Sequence, residues 1–325
     1  MPKICSEFTG IGVGDFCRRI VLVLALLLWA GGCTTMIPTA DVASFSGGVT
    51  AAKTQTDLAL AAVAAMTRQD SITYASRQKN LRASNLVSSP DPDTIASWDA
   101  LFSALEKYAQ DLNSLAAGGD TTATQASLMS LAGTFNQTAE LVNRNAQTSN
   151  EPQVTAGVAT AFAEAAKVFE SAYGQKKALE LAAAADPHIA QILNGLADAI
   201  GATQSDGLRA TIAAHWRDRE AALQVQFLQT LDPNARLAIV QAFAGLLDQA
   251  SAQDLALASV RRSLLALAVV HHALAAGHPA TMAGALGTIS DELQNAQAFY
   301  RQVSANLAVP VAAALPVAPA GPVAP

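Results

Sequence analysis

The stretch 93–117, DTIASWDALFSALEKYAQDLNSLAA, decides the fold of this chain. Its large apolar residues recur at alternating spacings of three and four, namely Trp98, Leu101, Leu105, Tyr108, Leu112 and Leu115. Such spacing places the side chains along one face of an α-helix, where they form a seam that another helix must cover. The stretch therefore predicts one helix of a bundle.

Two later stretches repeat this pattern, and the composition agrees with it. The seams consist of Leu128, Leu131, Phe135, Thr138 and Val142, and of Met282, Leu286, Ile289, Leu293, Ala296 and Val303. The chain is 51% hydrophobic but only 5% aromatic, and much of the apolar share is alanine, the best helix former. Alternating strand patterns are nearly absent. We expect an all-α fold, an elongated antiparallel alanine-rich bundle of about six to eight helices.

Prolines and glycines divide the chain into segments. Aspartate before proline is typical of a helix start, as at Asp186-Pro187 and Asp232-Pro233, because the carboxylate caps free amides. We predict a signal peptide over 1–32, a flexible tether over 33–48, a helical body over 49–307 and a disordered Pro/Ala-rich tail over 308–325. The predicted helical segments are 49–88, 93–117, 120–149, 152–185, 187–231 (with a break near 201–207), 233–277 and 279–307.

The N-terminal residues indicate export. Arg18 and Arg19 precede the apolar run 20–30, IVLVLALLLWA, which is about half the roughly 20 residues that span a bilayer. Basic residues, a short apolar run and then small residues are typical of a secretory signal, which we favour over a transmembrane helix or a twin-arginine signal.

The residues Ala30-Gly31-Gly32-Cys33 resemble the lipobox of bacterial lipoproteins, which type II signal peptidase cleaves. The resemblance covers about fifteen residues and departs from the commonest pattern at Ala30, where leucine is usual. It implies cleavage between Gly32 and Cys33 and a lipid (palmitate among its acyl chains) on Cys33. Because Thr34 is not aspartate, it also implies the outer membrane, facing the periplasm, rather than the inner membrane. The alternative is an ordinary signal peptide with a nearby cysteine.

Charge and cysteine content limit the partners. The net charge is −6, and removal of 1–32 leaves 17 basic and 24 acidic residues, or −7. Nucleic acid is therefore not an expected partner, because binding phosphates needs a basic face. The only cysteine after residue 32 is Cys33, so the mature chain would contain no internal disulfide.

No motif predicts catalysis, a metal site or a cofactor. His271 and His272 point about 100° apart on a helix, and His278 lies two turns beyond His271, so we expect polar or helix-end histidines. The chain has no Gly-x-Ser-x-Gly elbow and no phosphate-binding glycine loop between a strand and a helix. Catalytic and metal-ligating residues are therefore predicted to be absent.

Two non-enzymatic functions remain open. The first is a structural or protein-interaction role in the cell envelope, with an envelope protein or a second copy of the chain as partner. The alternative is a periplasmic binding module that holds an apolar ligand between helices. The candidate ligand or partner contacts are large aromatic residues: Trp216, Phe162, Phe169, Tyr173, Phe227 and Phe243.

Overall fold

The computed structural model of this chain describes residues 39–76, 78–86, 90, 92–118, 121–148, 156–171 and 178–307. These residues form eight α-helices and a short 3₁₀ turn, and they contain no strand, which confirms the all-α prediction. The helices are α1 (Thr39–Ala75), α2 (Pro92–Ala116), α3 (Thr121–Thr148), α4 (Ala156–Ser171), α5 (Ala178–Ile200), α6 (Gly207–Gln229), α7 (Pro233–Ala275) and α8 (Pro279–Leu307).

The helices surround one apolar core. Each helix packs against the next in the order α1, α2, α3, α4, α5, α7, α8, and α8 packs back against α1. Helix α6 lies outside this ring and packs against α5 and α7. Helix α7 is the longest, with 43 residues, which corresponds to about 64 Å at 1.5 Å per residue.

The predicted seams face the core. In α2 all of the seam residues are buried except Leu115, which is half-buried against the core. The α3 seam is buried from Leu128 to Val142. In α8 Met282, Ile289, Leu293 and Ala296 are buried and Leu286 is half-buried. The periodicity of the sequence thus correctly identified the buried face of three helices.

The tether prediction is wrong for residues 39–48. Helix α1 begins at Thr39, and Val42 and Phe45 on its first turns are fully buried. Gly48, within the predicted tether, is a close-packing position, since a Cβ there would lie 2.9 Å from Leu267 Cδ2. The helix ends at Ala75 rather than at 88. The predicted signal peptide and tail lie outside the described residues.

The prediction that a helix starts at Pro187 is also wrong. Helix α5 begins at Ala178 and continues through Pro187 to Ile200. A proline inside a helix cannot bond the carbonyl four residues earlier, here that of Ala183. Both Pro187 and Ala183 are exposed, so water can hydrate that carbonyl. This placement explains why the helix tolerates the proline.

The other predicted boundaries near α6 and α7 are present. Gly201 and Gly207 have positive φ angles of 100° and 58° and form the turn between α5 and α6. The Asp232 side chain caps α7 by accepting a hydrogen bond of 2.7 Å from the Ala235 amide, with Pro233 in the first turn. At the other end the His278 amide donates to the Ala273 carbonyl at 2.8 Å and Gly277 has a φ of 69°. This glycine turn reverses the chain into α8.

Candidate functional site

The second half of α6 and the first half of α7 form a helical hairpin that leaves the core. We call residues 217–251 the hairpin arm. None of these residues is buried, whereas Trp216 just before the arm and Ala252 just after it are. Apart from its base, where Arg219 contacts α1 and Leu246 and Ala250 pack against the core, the arm is therefore a pair of helices that no other described part of the chain covers.

The outer part of the arm, residues 221–247, has a nearly uncharged surface with many exposed apolar residues. Between residues 221 and 247 only Asp232 and Arg236 carry a charge. Leu231 at the tip is 90% exposed and Leu228 is 72% exposed. Solvent-exposed helices normally carry charged residues on their outer face, so this surface is unusual for one that meets only water.

On α7 the exposed apolar residues form a seam of their own. Leu237, Val240, Ala244 and Leu247, which we call the α7 stripe, are spaced three, four and three apart and are all exposed. This is the heptad spacing that the buried seams of α2 and α3 also show. The face opposite the stripe, which includes Ala235, Ile239 and Leu246, is half-buried, and Leu246 packs against the core. The stripe therefore points away from the other helices that the structure describes.

Polar contacts fix the base of the arm. The Trp216 indole Nε1 donates to Gln253 Oε1 at 2.8 Å, and both side chains are buried. Arg219 forms an ion pair with Asp70 on α1, with 2.7 Å between Nε and Oδ1, and also donates to the Met66 carbonyl. Next to the arm Arg209 binds both carboxylate oxygens of Asp254 at 2.7 and 2.9 Å. The arm thus starts from a rigid base.

Three of the aromatic residues singled out in the sequence lie in or beside the arm. Trp216 belongs to its buried base, and Phe227 and Phe243 are half-buried along it. The guanidinium carbon of Arg236 lies 4.1 Å from the centroid of the Phe227 ring, a cation–π contact that joins α7 to α6. The more exposed apolar residues of the arm are aliphatic, and the aromatic candidates did not include them.

The remaining aromatic candidates lie away from the arm. Phe162 and Phe169 are fully buried and pack on Phe135 with ring centroids 4.7 and 4.9 Å away. Phe169 also stacks on Tyr108 at 5.4 Å. These distances are those of an aromatic cluster whose rings contact one another directly. Tyr173 lies outside the described residues, as do Gly32 and Cys33.

A chain of polar side chains crosses the core beside this cluster. We call Tyr108, His271, Asp186 and His272 the polar relay. Tyr108 Oη lies 2.7 Å from His271 Nε2, and His271 Nδ1 lies 2.9 Å from Asp186 Oδ1. The other carboxylate oxygen lies 2.7 Å from Nδ1 of His272, which is exposed. The relay joins α2, α5 and α7 and leads from the core to the surface.

The pKa shifts within the polar relay indicate which of its atoms carry hydrogens. Burial lowers the pKa of His271, although Asp186 opposes this shift, so the ring is neutral. Because a carboxylate only accepts, His271 Nδ1 carries the hydrogen and Nε2 accepts from the Tyr108 hydroxyl. Burial alone would raise the pKa of Asp186, but hydrogen bonds from the two histidines outweigh it and lower that pKa. Burial and the Asp186 charge raise the pKa of Tyr108 far above its usual value.

The sequence analysis missed the relay. Asp186 was interpreted as a helix cap because it precedes Pro187, and the histidines as polar or helix-end residues. The available signal was Tyr108, a hydroxyl placed on a heptad seam, since a buried hydroxyl usually has a hydrogen-bond partner. The relay satisfies the buried polar groups and joins three helices, and Tyr108 at its inner end lies between Phe45 and Phe169.

Comparisons with known proteins identify no relative of this chain. No protein-family model, no curated protein and no solved structure matches the chain. Among the described residues, one helix (Pro233–Ala275) is long and apolar enough to cross a membrane, but 61% of its most apolar window is buried inside the fold. Burial of this kind is what the central helix of a bundle shows.

Proposed function

We propose that this protein is a lipid-anchored lipoprotein of the bacterial cell envelope with a non-enzymatic structural or protein-interaction role, and that the hairpin arm is its contact surface. The observation that carries the proposal is the α7 stripe, a heptad seam on an arm with a fixed base, and no described part of the chain covers this seam. Seams of this spacing are stable when another helix packs on them.

The anchor is supported by the N-terminal sequence. Arg18-Arg19, the apolar run 20–30 and Gly31-Gly32-Cys33 resemble a lipoprotein leader, with Cys33 as the lipid acceptor and Gly32–Cys33 as the cleavage site. Two or more acyl chains hold a protein on a membrane stably, whereas one is marginal. Thr34 favours the outer membrane, with the body in the periplasm, by the resemblance to enterobacterial lipoproteins.

The interaction role is supported by the energetics of the arm. Each square ångström of apolar surface removed from water contributes about 25 cal/mol. The exposed Leu and Val side chains of the arm contribute this favourable free energy only if another molecule covers them. The base contacts of Trp216 and Arg219 hold the two helices in place, which reduces the ordering cost of binding.

Metabolic labelling with radioactive palmitate tests the anchor. The wild-type chain is expected to incorporate label and to sediment with outer membranes. The Cys33→Ser variant is expected to remain unlabelled and to leave the outer-membrane fraction. Equal labelling of both chains, or of neither, contradicts the lipoprotein assignment.

Photo-crosslinking in living cells tests the contact surface. A photoreactive amino acid at position 237, in the arm, is compared with one at position 269. Leu237 and Val269 lie on the same helix and are 57% and 48% exposed, so they are matched in exposure. We expect a discrete protein adduct from position 237 and none from position 269. No adduct from 237, 240 or 228 contradicts the interaction role.

A further inference from the structure

We infer that the partner of the α7 stripe is a second copy of this chain, packed antiparallel about a twofold axis that passes near residue 242. This inference rests on the proposed function, because it names the partner of the same arm. Three features of the described residues favour this occupant: the order of side-chain sizes along the stripe, the charges beside it and the length of the free helix.

The order of side-chain sizes along the α7 stripe suits packing against a second, antiparallel α7 stripe. In an antiparallel pair of helices with heptad seams, each residue at an a position packs against a residue at a d position of the other helix. Leu237 and Ala244 hold the a positions of the α7 stripe, and Val240 and Leu247 hold the d positions. Here Leu237 would face Leu247 of the second copy, and Val240 would face Ala244. Each layer then combines either two large residues or a medium one with a small one. A parallel pair would instead place the two Ala244 residues against each other and leave a poorly filled layer.

The charges beside the stripe also suit a second copy. The exposed residues on one edge of the stripe are Asn234, Gln241 and Asp248. In the antiparallel arrangement like edges meet, so Asp248 would face Asn234 and Gln241 would face Gln241. An amide can donate to the carboxylate, and no like charges meet. On the other edge Arg236 already contacts Phe227 of its own chain.

The net charge of the chain points to the arm as the place of contact. Two mature copies, each with a net charge of −7 after removal of residues 1–32, repel one another over most of their surface. The arm carries one negative and one positive residue between 221 and 247, so repulsion is smallest there. A strongly basic or acidic partner would find no complementary charges along the stripe.

The length of α7 inside the arm limits how strongly two copies can bind each other. The part of α7 inside the arm, 233–251, is about 27 Å long at 1.5 Å per residue. An overlap of two such helices falls at or below the roughly 1,200 Å² at which specific interfaces begin. We therefore expect a reversible dimer that depends on concentration, which the two-dimensional confinement of an anchored protein would favour.

Cysteine crosslinking of the full-length chain tests the pairing and its direction. Gln241→Cys lies next to the proposed axis, so it is expected to form a disulfide-linked dimer with another Gln241→Cys chain. Leu237→Cys is expected not to crosslink with itself, because the two positions would be about 15 Å apart along the helix. Leu237→Cys mixed with Leu247→Cys is expected to crosslink. The number of dimers is compared with that of the wild-type chain under the same conditions, because Cys5, Cys17 and Cys33 of any unprocessed chain could also form disulfides.

A charge introduced into the stripe provides the second measurement. Val240→Lys in the Gln241→Cys background is expected to lower the dimer fraction about tenfold, since two unpaired ammonium groups would enter the interface. Val269→Lys is the matched control, because Val269 is equally exposed but lies outside the arm. Both positions are exposed, so circular dichroism is expected to show an unchanged helical fold.

The outcomes separate this inference from the proposed function. Absence of a Gln241→Cys dimer in a folded chain overturns the pairing, and a Leu237→Cys dimer with itself overturns its antiparallel direction. A photo-adduct from position 237 that contains a different protein, without dimers of this chain, overturns the second copy as partner but supports the interaction role. No adduct of any kind from the arm contradicts both.

Discussion

His271 Nδ1 lies 2.9 Å from Asp186 Oδ1. Asp186 directly precedes Pro187, yet its carboxylate binds this buried histidine instead of capping a helix. The same carboxylate accepts from His272, and His271 in turn accepts from Tyr108. Three helices that are distant in sequence are therefore joined by groups that are satisfied only together. Removing Tyr108 or Asp186 leaves a ring nitrogen of the fully buried His271 without a hydrogen-bond partner.

Tyr108→Phe tests the inner end of the polar relay. The ring remains, but His271 Nε2 loses its donor in a fully buried position. An unsatisfied buried acceptor costs about 1–3 kcal/mol, so we expect the free energy of unfolding in urea to fall by about that amount. Tyr74→Phe is the control, because Tyr74 is 61% exposed. Equal stability of the two variants would show that the Tyr108 hydroxyl contributes nothing.

The relay also predicts that the fold is weakened by acid. Burial lowers the pKa of His271 below its ordinary value of 6.5, despite the opposing carboxylate. Below about pH 6.5 the unfolded chain therefore binds a proton that the folded chain does not, and stability falls as the pH falls. The pKa of Asp186 is below its ordinary 3.8, because the histidine hydrogen bonds outweigh burial, so a second loss follows below that pH.

Unfolding free energies measured between pH 7.5 and pH 4.5 check the histidine contribution. His271→Gln keeps an amide that can bond Asp186 and Tyr108 but cannot be protonated, so its stability is expected to depend less steeply on pH than that of the wild type. His215→Gln leaves the relay intact and serves as the control. The same slope in His271→Gln and in the wild type would refute the assignment of this pH dependence to His271.

The fold class followed from local patterns, which is why the sequence predicted it. The α2 seam and the cap at Asp232 depend on residues a few positions apart, and both are present in the structure. The continuation of α5 through Pro187 depends instead on which face of the helix meets water. That orientation is a property of the packed bundle, and residue spacing alone did not show it.

The candidate site was less predictable for the same reason. The stripe Leu237, Val240, Ala244 and Leu247 has the spacing of a buried seam, and nothing local distinguishes it from the covered seam of α2. It differs because no other described helix reaches it. Likewise, the relay joins residues 85 and 163 positions apart, a distance at which sequence spacing carries no information about contact.

Pro187→Ala tests whether the proline is a cost to α5. Alanine restores an amide that can donate to the Ala183 carbonyl, and a helix-interior proline costs about 3 kcal/mol relative to alanine. Proline also restricts the unfolded chain, which offsets about 0.4–1 kcal/mol of this. We expect thermal and urea unfolding to show stabilisation by about 2–2.6 kcal/mol, the difference between these two terms. Pro233→Ala, at a helix start where proline is favoured, is expected to give no such gain. Stabilisation by both variants would point to a general effect of removing proline.

Gly195→Ala tests how closely α4 and α5 approach. A Cβ at Gly195 would overlap Cγ2 of Val158, a branched side chain with little freedom to move in a helix. Overpacking of this kind typically costs 1–3 kcal/mol, which exceeds the gain of about 1 kcal/mol in helix propensity from glycine to alanine. The variant is therefore expected to be less stable than the wild type.

Gly245→Ala is the matched control, because a Cβ there meets nothing within 4 Å. It lies in the arm portion of α7, so the propensity gain is unopposed, and urea unfolding is expected to show stabilisation by up to about 1 kcal/mol. Opposite signs for the two glycines follow directly from the space around each one. If Gly195→Ala instead stabilises the chain as Gly245→Ala does, α4 and α5 must be able to separate without loss, and the close packing between Val158 and Gly195 would not be a determinant of the fold.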